Sequence, residues 1–373
     1  MNTLVKWPGG KAREIKYIEG LIPPFERYCE PFFGGGALYF YLRPRQALIN
    51  DISPDLTEFY RLVKAQDPVF YACLCAYDHL LTGLLAACDA RGEELLALYG
   101  RLRDAAEPEA ALASALYALA EELAAALPET DKRRLAVKEG RLAAQLRGNG
   151  ADKLRRTLKN EKKVPFSRED LRENLITGFM SGLYMYFRDV YNDLLLGRVS
   201  GAEPGFRAAN FYFIREYCYG SMFRYNARGE FNIPYGGMSY NRKGFQTKID
   251  RIFSPEIRAL FAGTQIACGD FAPFLENANL TDRDFLFLDP PYDSDFSDYE
   301  GKAFSREDQR RLAEALGRTR ARFLLVIKNT DFIHSLYADR FHILSFDKTY
   351  AYNVRSRNDR SAEHLIIANY PVK

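Results

Sequence analysis

The chain has 373 residues, 47% of them hydrophobic and 27% charged, with a formal net charge of +3 and a pI near 8.4. That composition excludes a disordered or fibrous chain and allows one large α/β domain with a smaller second one. No uninterrupted apolar span reaches membrane length, the amino terminus lacks a signal-peptide core, and the six cysteines form no C-x-x-C pair. With four scattered histidines, this points to reduced thiols, a cytoplasmic protein, no membrane and no metal site.

Taken in order, Lys6-Trp7-Pro8-Gly9-Gly10-Lys11 precedes a helix predicted from Ala12 to Leu21. The glycines let backbone N–H groups turn toward a ligand, while Trp7 offers stacking and Lys11 charge to a nucleoside. A short strand at Tyr28-Cys29-Glu30 then runs through Pro31-Phe32-Phe33 into the glycine turn Gly34-Gly35-Gly36 and a helix start. Ala47 to Asp51 reads as a second strand, and Asp51 stands at the spacing where nucleotide folds place a ribose-binding acid. The glycines are consecutive and G-x-G-x-x-G is absent, which weakens a nicotinamide reading and leaves a nucleoside with a small polar tail.

A helix is predicted from Pro54 to about Lys64, and the character of the chain then changes. Tyr71 to Leu127 is rich in Ala and Leu at helical spacing, punctuated by Pro108 and Pro128, as in a packed helical subdomain. Between Lys132 and Arg172 basic residues predominate, a pattern that fits a solvated helix face and phosphate contact equally. Gly178 to Tyr225 is crowded with aromatics, and Arg228-Gly229 reads as the turn of a β-hairpin. Arg and Asn side chains on such a hairpin can read guanine and adenine edges in a major groove.

After Ile252 the α/β pattern resumes, with a strand predicted from Gln265 and ending in Asp270-Phe271. Phe285-Leu286-Phe287-Leu288 lacks alternation, as a strand buried on both faces of a parallel sheet does, and it stops at Asp289-Pro290-Pro291-Tyr292. A helix from Arg306 to about Leu316, a strand from Arg322 to Lys328 and a final antiparallel hairpin (Phe341 to Phe346, His364 to Asn369) complete the chain. The predicted fold is a doubly wound, mostly parallel α/β sheet built from residues 1–64 and 247–373. A helical and hairpin domain, residues 65–246, interrupts it.

The turn at Asp289 suggests a chemistry. An exocyclic amine on a nucleobase is a poor nucleophile, because its lone pair is delocalised into the ring. A carboxylate and a carbonyl that both accept from the NH₂ group draw the nitrogen toward tetrahedral geometry, and Asp289 and Pro290 can supply that pair. Tyr292 can stack on the base and hold it facing a methyl donor.

These motifs together resemble the Dam-type DNA adenine-N6 methyltransferases. Lys6 to Lys11 is similar to that family's K-W-x-G-G-K, Glu30-Pro31-Phe32-Phe33-Gly34-Gly35-Gly36 to its E-P-F-x-G-x-G, and Asn50-Asp51 to its acidic strand end. Arg224 to Gly236 is close to R-x-N-x-x-G-x-F-N-x-P-[FY]-G of its DNA-reading hairpin, and Asp289 to Tyr292 to its catalytic turn. The resemblance implies a Rossmann-like methyltransferase fold, S-adenosyl-L-methionine as methyl donor, and transfer to N6 of an adenine flipped out of double-stranded DNA. It implies Asp289, Pro290, Pro291 and Tyr292 as catalytic residues. Trp7, Lys11, Glu30, Pro31, Phe32, Gly34, Gly36, Asp51, Asp270, Phe271 and Asp289 would hold the cofactor. Arg224, Asn226, Arg228, Asn232, Tyr235, Asn241 and Lys243 would bind DNA, and a cognate restriction endonuclease is a candidate partner. The stretch from about Ala76 to Ser167 aligns to no compact member, and Gly237 to Asn241 departs from the members that read GATC. Two alternatives stay open: methylation of another amine (RNA adenine, cytosine N4, a protein glutamine), and a DNA-binding homologue without activity.

Overall fold

A computed structural model describes residues 2–104, 109–291, 304–349 and 361–372. The chain divides into two compact units, Met1–Lys64 with Pro255–Lys373, and Ala65–Ser254.

The first unit is organised on one seven-stranded sheet. Its strands are β1 (Arg27–Glu30), β2 (Ala47–Asp51), β3 (Thr264–Cys268), β4 (Asp284–Leu288), β5 (Arg322–Lys328), β6 (His342–Thr349) and β7 (Ser361–Ala368). The order across the sheet is β3-β2-β1-β4-β5-β7-β6. The first five pair in parallel, whereas β7 runs antiparallel to both β5 and β6. This is the Rossmann-like, doubly wound arrangement with a closing antiparallel hairpin. Strand order reverses between β1 and β4, and ligand crevices of such sheets open at the carboxyl ends of the strands flanking that reversal.

Every residue of β4 is buried, which explains its unbroken apolar run. Because strand side chains alternate, Leu286 and Leu288 join Cys29, Phe323, Leu325 and Ile327 on one face. There they pack against Phe271, Leu312, Leu316, Ile333 and Tyr337. Phe285 points the other way, within 6.1 Å of the Tyr28 ring, and Tyr28 in turn lies 6.2 Å from Tyr39. Tyr39, Tyr60 and Phe261 continue that aromatic layer.

The second unit is helical, with long helices at Pro68–Ala90, Glu139–Glu161 and Arg168–Leu195. Asp67 caps the first by accepting from the Phe70 N–H at 2.7 Å, with Pro68 pre-set in the first turn. By length and composition that helix could cross a bilayer, yet half of its apolar window is buried inside the protein. Its Tyr77 stacks on Phe213 at 4.6 Å and meets Phe187 edge-on at 4.6 Å. These contacts are those of a core helix.

Three elements differ from the sequence expectation. The helix predicted from Ala12 to Leu21 is a single α-turn, Ile15–Ile18, followed by a 3₁₀ turn at Glu19–Leu21, where Gly20 and Pro23 disfavour continuation. The strand expected to reach Phe271 stops at Cys268, because the Asp270 carboxylate accepts from the Ala272 N–H and starts the helix Phe271–Asn277. The hairpin around Arg228-Gly229 makes only isolated bridges, Tyr225 to Phe231 and Cys218 to Tyr235, instead of a ladder. Pro234 has no N–H to offer, and Asn192 takes both backbone groups of Phe231.

The amino ends of β1 and β4 are tied by an arginine fork. Arg27 donates from Nε and Nη2 to the two Asp284 oxygens at 2.8 and 2.9 Å, and the Asp284 side chain is only 5% exposed. Burial alone would raise the Asp284 carboxyl, but the Arg27 fork and the Thr281 N–H bring it below the ordinary carboxylate range. A depressed folded-state pKa gives stability that is present above the unfolded value, about pH 3.9, and is lost as pH falls below it. We therefore expect Arg27→Ala to cost about 2–3 kcal/mol near neutrality, because it strands a nearly buried carboxylate. Thermal unfolding monitored by circular dichroism should show a fall of about 5–10 °C. Acidification toward pH 3 should narrow the gap between variant and wild type, whereas a gap independent of pH would contradict this account.

Candidate functional site

The carboxyl ends of β1, β2 and β4 gather most of the residues singled out in the first unit. Asp289, one residue past β4, pairs with Lys11 at 2.5 Å. The Lys11 side chain is 2% exposed and that of Asp289 18%, so the pair sits at the floor of the crevice with the carboxylate toward its mouth. Pro290 is buried and Pro291 half-buried; Tyr292 lies outside the described residues.

Glu30, at the end of β1, is fully buried and accepts from the Tyr28 hydroxyl at 2.8 Å. Burial pushes its carboxyl well above the usual range, Tyr28 opposes this, and repulsion from Asp289 and Asp51 adds to it. Asp51, at the end of β2, accepts from the backbone N–H of Gly34 at 2.8 Å and of Ser53 at 2.9 Å, one on each oxygen. Burial raises its carboxyl too, against the pull of those N–H groups. Asn50, next to it, donates from Nδ2 to the carbonyls of Pro31 and Gly269, both at 3.0 Å, and so ties the loop after β1 to the loop after β3.

The glycine turn is required by geometry. Gly34 has φ of +48°, and a Cβ there would stand 2.7 Å from Cδ1 of Trp7. The indole therefore lies directly on the turn, where any side chain would displace it. Gly36 is likewise left-handed, with the Phe33 ring in the space a Cβ would need.

Beyond this turn, Phe32, Phe271 and Phe304 form an aromatic cluster with centroid separations of 5.4 to 5.6 Å. Asp270 is beside it but heavily engaged. It caps the helix Phe271–Asn277, and Arg311 grips its oxygens at 2.7 and 3.4 Å while lying 5.0 Å over the Phe271 ring.

Sequence reasoning missed Gln309. It belongs to the helix Arg306–Arg318, whose amino end is fixed by a capping box between Ser305 and Asp308. The side chain is wholly buried and donates from Nε2 to the Pro291 carbonyl at 3.1 Å, holding the turn after β4 from behind. A signal existed: Gln309, Leu312, Ala313 and Leu316 share the buried face of this helix, and only Gln309 is polar.

The second unit carries the hairpin and the residues expected to contact DNA. Arg224 and Arg228 are exposed, with Arg224 Nε bonded to Asn232 Oδ1 at 3.0 Å. Asn226 builds the turn, its Oδ1 accepting from the N–H groups of Arg228 and Glu230. Tyr235, Asn241 and Lys243 have partners inside the protein. Tyr235 is buried, stacks on Tyr217 and donates to Asn241 Oδ1 at 3.2 Å. Asn241 is buried on Thr177, and Lys243 is bonded to the carbonyl and carboxylate of Glu216. Their spacing in the sequence could not show this, because their partners lie up to 68 residues away. Asn192 was missed as well: from the helix Arg168–Leu195 it donates to the Phe231 carbonyl at 3.1 Å and accepts from the Phe231 N–H at 2.8 Å, anchoring the hairpin.

Chemically, the first unit offers three converging carboxylates and one lysine beside a glycine turn and an aromatic cluster. The Asp51 oxygens each keep a lone pair for hydroxyl groups, the rings suit a base, and the excess of acid suits a cation. The residues present fit a nucleoside that carries positive charge.

Comparison with known proteins agrees with this chemistry. Residues 7–82 and 155–352 match the family described as D12 class N6 adenine-specific DNA methyltransferase. The type II methyltransferase M.CviBI of Paramecium bursaria Chlorella virus NC1A is 35% identical over 166 residues, covering 44% of this chain and 61% of that protein. The type II methyltransferase M1.LlaDCHI of Lactococcus lactis subsp. cremoris is 23% identical over 99% of this chain and 96% of its own length. A DNA adenine methylase of Vibrio cholerae is 21% identical over 96% and 92%. With the family match spanning most of the sequence, the chain belongs to the D12 class of N6 adenine-specific DNA methyltransferases.

Proposed function

We propose that this enzyme takes its methyl group from S-adenosyl-L-methionine and places it on N6 of an adenine turned out of duplex DNA. In this reading residues 1–64 and 255–373 are the catalytic unit and residues 65–254 read the target. The observation that carries the reading is the Asp289-Pro290-Pro291 turn, set at the carboxyl end of a doubly buried strand and flanked by Lys11, Glu30 and the Gly34–Asp51 contact. Two relatives named type II methyltransferases make a cognate restriction endonuclease a candidate partner. Six free cysteines are consistent with a cytoplasmic enzyme.

Asp51 would hold the donor's ribose hydroxyls, Trp7, Phe32 and Phe271 would flank its flat and apolar parts, and Glu30 and Asp289 would face its positive charge. When bound, the donor supplies an electrophilic methyl group on its sulfonium. Asp289 and the Pro290 carbonyl accept from the adenine NH₂ and localise its lone pair, and Tyr292 stacks on the base. The protein positions two reactants and polarises one of them.

Expression in a host without adenine methylation, followed by sequencing that detects N6-methyladenine, should reveal one short motif methylated throughout; unmethylated DNA with folded protein present would refute the reading. Asp289→Ala should lower methyl transfer by about 10²–10³-fold or more in a chain that still folds, with a lowered melting temperature because the enclosed Lys11 loses its carboxylate.

Asp51→Asn should weaken cofactor binding by about 10–100-fold, the worth of one charged hydrogen bond, in equilibrium dialysis with labelled donor. Only the ionised carboxylate accepts fully from two hydroxyls, and its folded-state pKa is raised. Wild-type affinity should therefore already fall as the pH drops toward, but still above, about 3.9, and the asparagine variant should lack that step. The same pH dependence in both would remove Asp51 from the ribose site.

Gln309 acts as a positioning residue, so its variants should move kcat and leave donor affinity alone. We expect Gln309→Leu to lose about tenfold in kcat, the value of one hydrogen bond near 1.4 kcal/mol. Gln309→Glu should show a similar loss at neutral pH and recover on acidification, because only the protonated carboxyl can donate to the Pro291 carbonyl. Loss without recovery, in a protein that still melts normally, would argue against the clamp.

A further inference from the structure

The basic stretch in the second unit has no part in the chemistry above. The helix Glu139–Glu161 buries Leu142, Ala143, Leu146, Gly150, Leu154 and Thr157 against its neighbours. The other side of its last turns carries Arg155, Arg156 and Lys159, continued just past the helix by Lys162 and Lys163, and all five are exposed. Asp152 lies 3.7 Å from Arg155 and 3.6 Å from Arg156, long surface contacts of small worth. Glu161 is drawn to the opposite side, where it accepts from the Tyr99 hydroxyl at 2.5 Å. Lys153, more enclosed, has its ammonium pKa lowered by burial and by the charge of Arg156, as expected where positive potential accumulates.

Cations near a helix carboxyl end favour the macrodipole, which is the plain structural explanation for Lys159. That effect fades within one turn, and Arg155 and Arg156 stand six and five residues before the last helical residue. From Arg155 to Lys163 the stripe runs about 12 Å at ~1.5 Å per residue. Over that length each strand of B-DNA rises past three to four phosphates, at about 3.4 Å apiece. The family match omits residues 83–154 and resumes at 155, so the stripe borders a segment that the family pattern does not account for.

We propose that Arg155, Arg156, Lys159, Lys162 and Lys163 form a sequence-independent DNA contact, in which guanidinium and ammonium groups bind phosphates of the duplex apart from the hairpin. The proposal rests on DNA being the substrate. Its function is to raise the affinity for any duplex, leaving discrimination between sequences to the hairpin.

The test uses the full chain and fluorescence anisotropy on labelled duplexes, one containing the methylated motif and one lacking it, across a range of salt concentrations. Replacing Arg155, Arg156 and Lys159 together by Ala should reduce the slope of log K against log salt by about 2–3, since each phosphate contact contributes about 0.9. The loss should be equal on both duplexes, and kcat at saturating DNA should be unchanged. A control that removes three exposed arginines of the other unit, Arg258, Arg318 and Arg320, should leave the slope close to wild type. An unchanged slope in the first variant, an equal drop in the control, or a loss confined to the duplex with the motif would each overturn the assignment. Wild-type protein that binds donor but no duplex would instead bring down the DNA reading on which it stands.

Discussion

A carboxylate at the end of a strand buried on both faces must find a counter-charge without solvent, and the pairing of Lys11 with Asp289 meets that demand. The lysine carries its charge into a site where it is almost entirely enclosed, and the carboxylate is there to receive it. The segment before it must therefore fold down over the sheet, and it does, with Leu4 and Val5 buried and the Trp7 indole against Gly34. Gly34 in turn presents its N–H to Asp51. One ion pair thus sets an amino-terminal arm, the arm sets a turn, and the turn orients the second acid of the crevice.

The same crevice holds more acid than base. Among the described residues, Lys11 on Asp289 is the close cation beside Glu30, Asp51 and Asp289, and the Glu30 carboxyl is raised by burial first and by repulsion from the other two acids second. Such a site is poorly matched to an anionic nucleotide. The consecutive glycines support the same view, because a diphosphate would need the more extended run of N–H groups that a G-x-G-x-x-G turn presents.

How much of this could be read from residues alone depended on the range of the interactions involved. The strands β4 and β5 were legible because burial on both faces leaves an unbroken apolar run, and the final hairpin because no helix-length segment separates its arms. The acids at strand ends and the glycine turn were legible because their geometry is local. The internal bonds of Tyr235, Asn241 and Lys243 were not legible, because their partners lie on other segments of the chain. Asp270 read as a strand terminus, but its local role is to cap the next helix and its longer one is to receive Arg311. Gln309 and Asn192 were invisible for the same reason: each is a single polar group whose meaning lies in a backbone carbonyl far along the chain.

The hairpin shows why those anchoring groups matter. Two isolated bridges cannot fix a ribbon, and a register slip by one residue would turn each reading side chain to the other face. Asn192 prevents the slip by grasping both backbone groups of Phe231, and Tyr184 adds a bond to the Ile233 carbonyl at 2.9 Å. Asn226 closes the turn from within. The amides are thus spent on geometry, which leaves the exposed arginines for contact. Among the described residues the Arg224 side chain is bonded from Nε to Asn232 Oδ1 and its backbone carbonyl accepts from the Asn232 N–H; on the proposed role its terminal nitrogens would take a bidentate partner such as a guanine edge. On the proposed DNA-reading role, specificity would reside in two arginines held by a scaffold of amides, and changes to the scaffold would shift which base they meet rather than how strongly they bind phosphate.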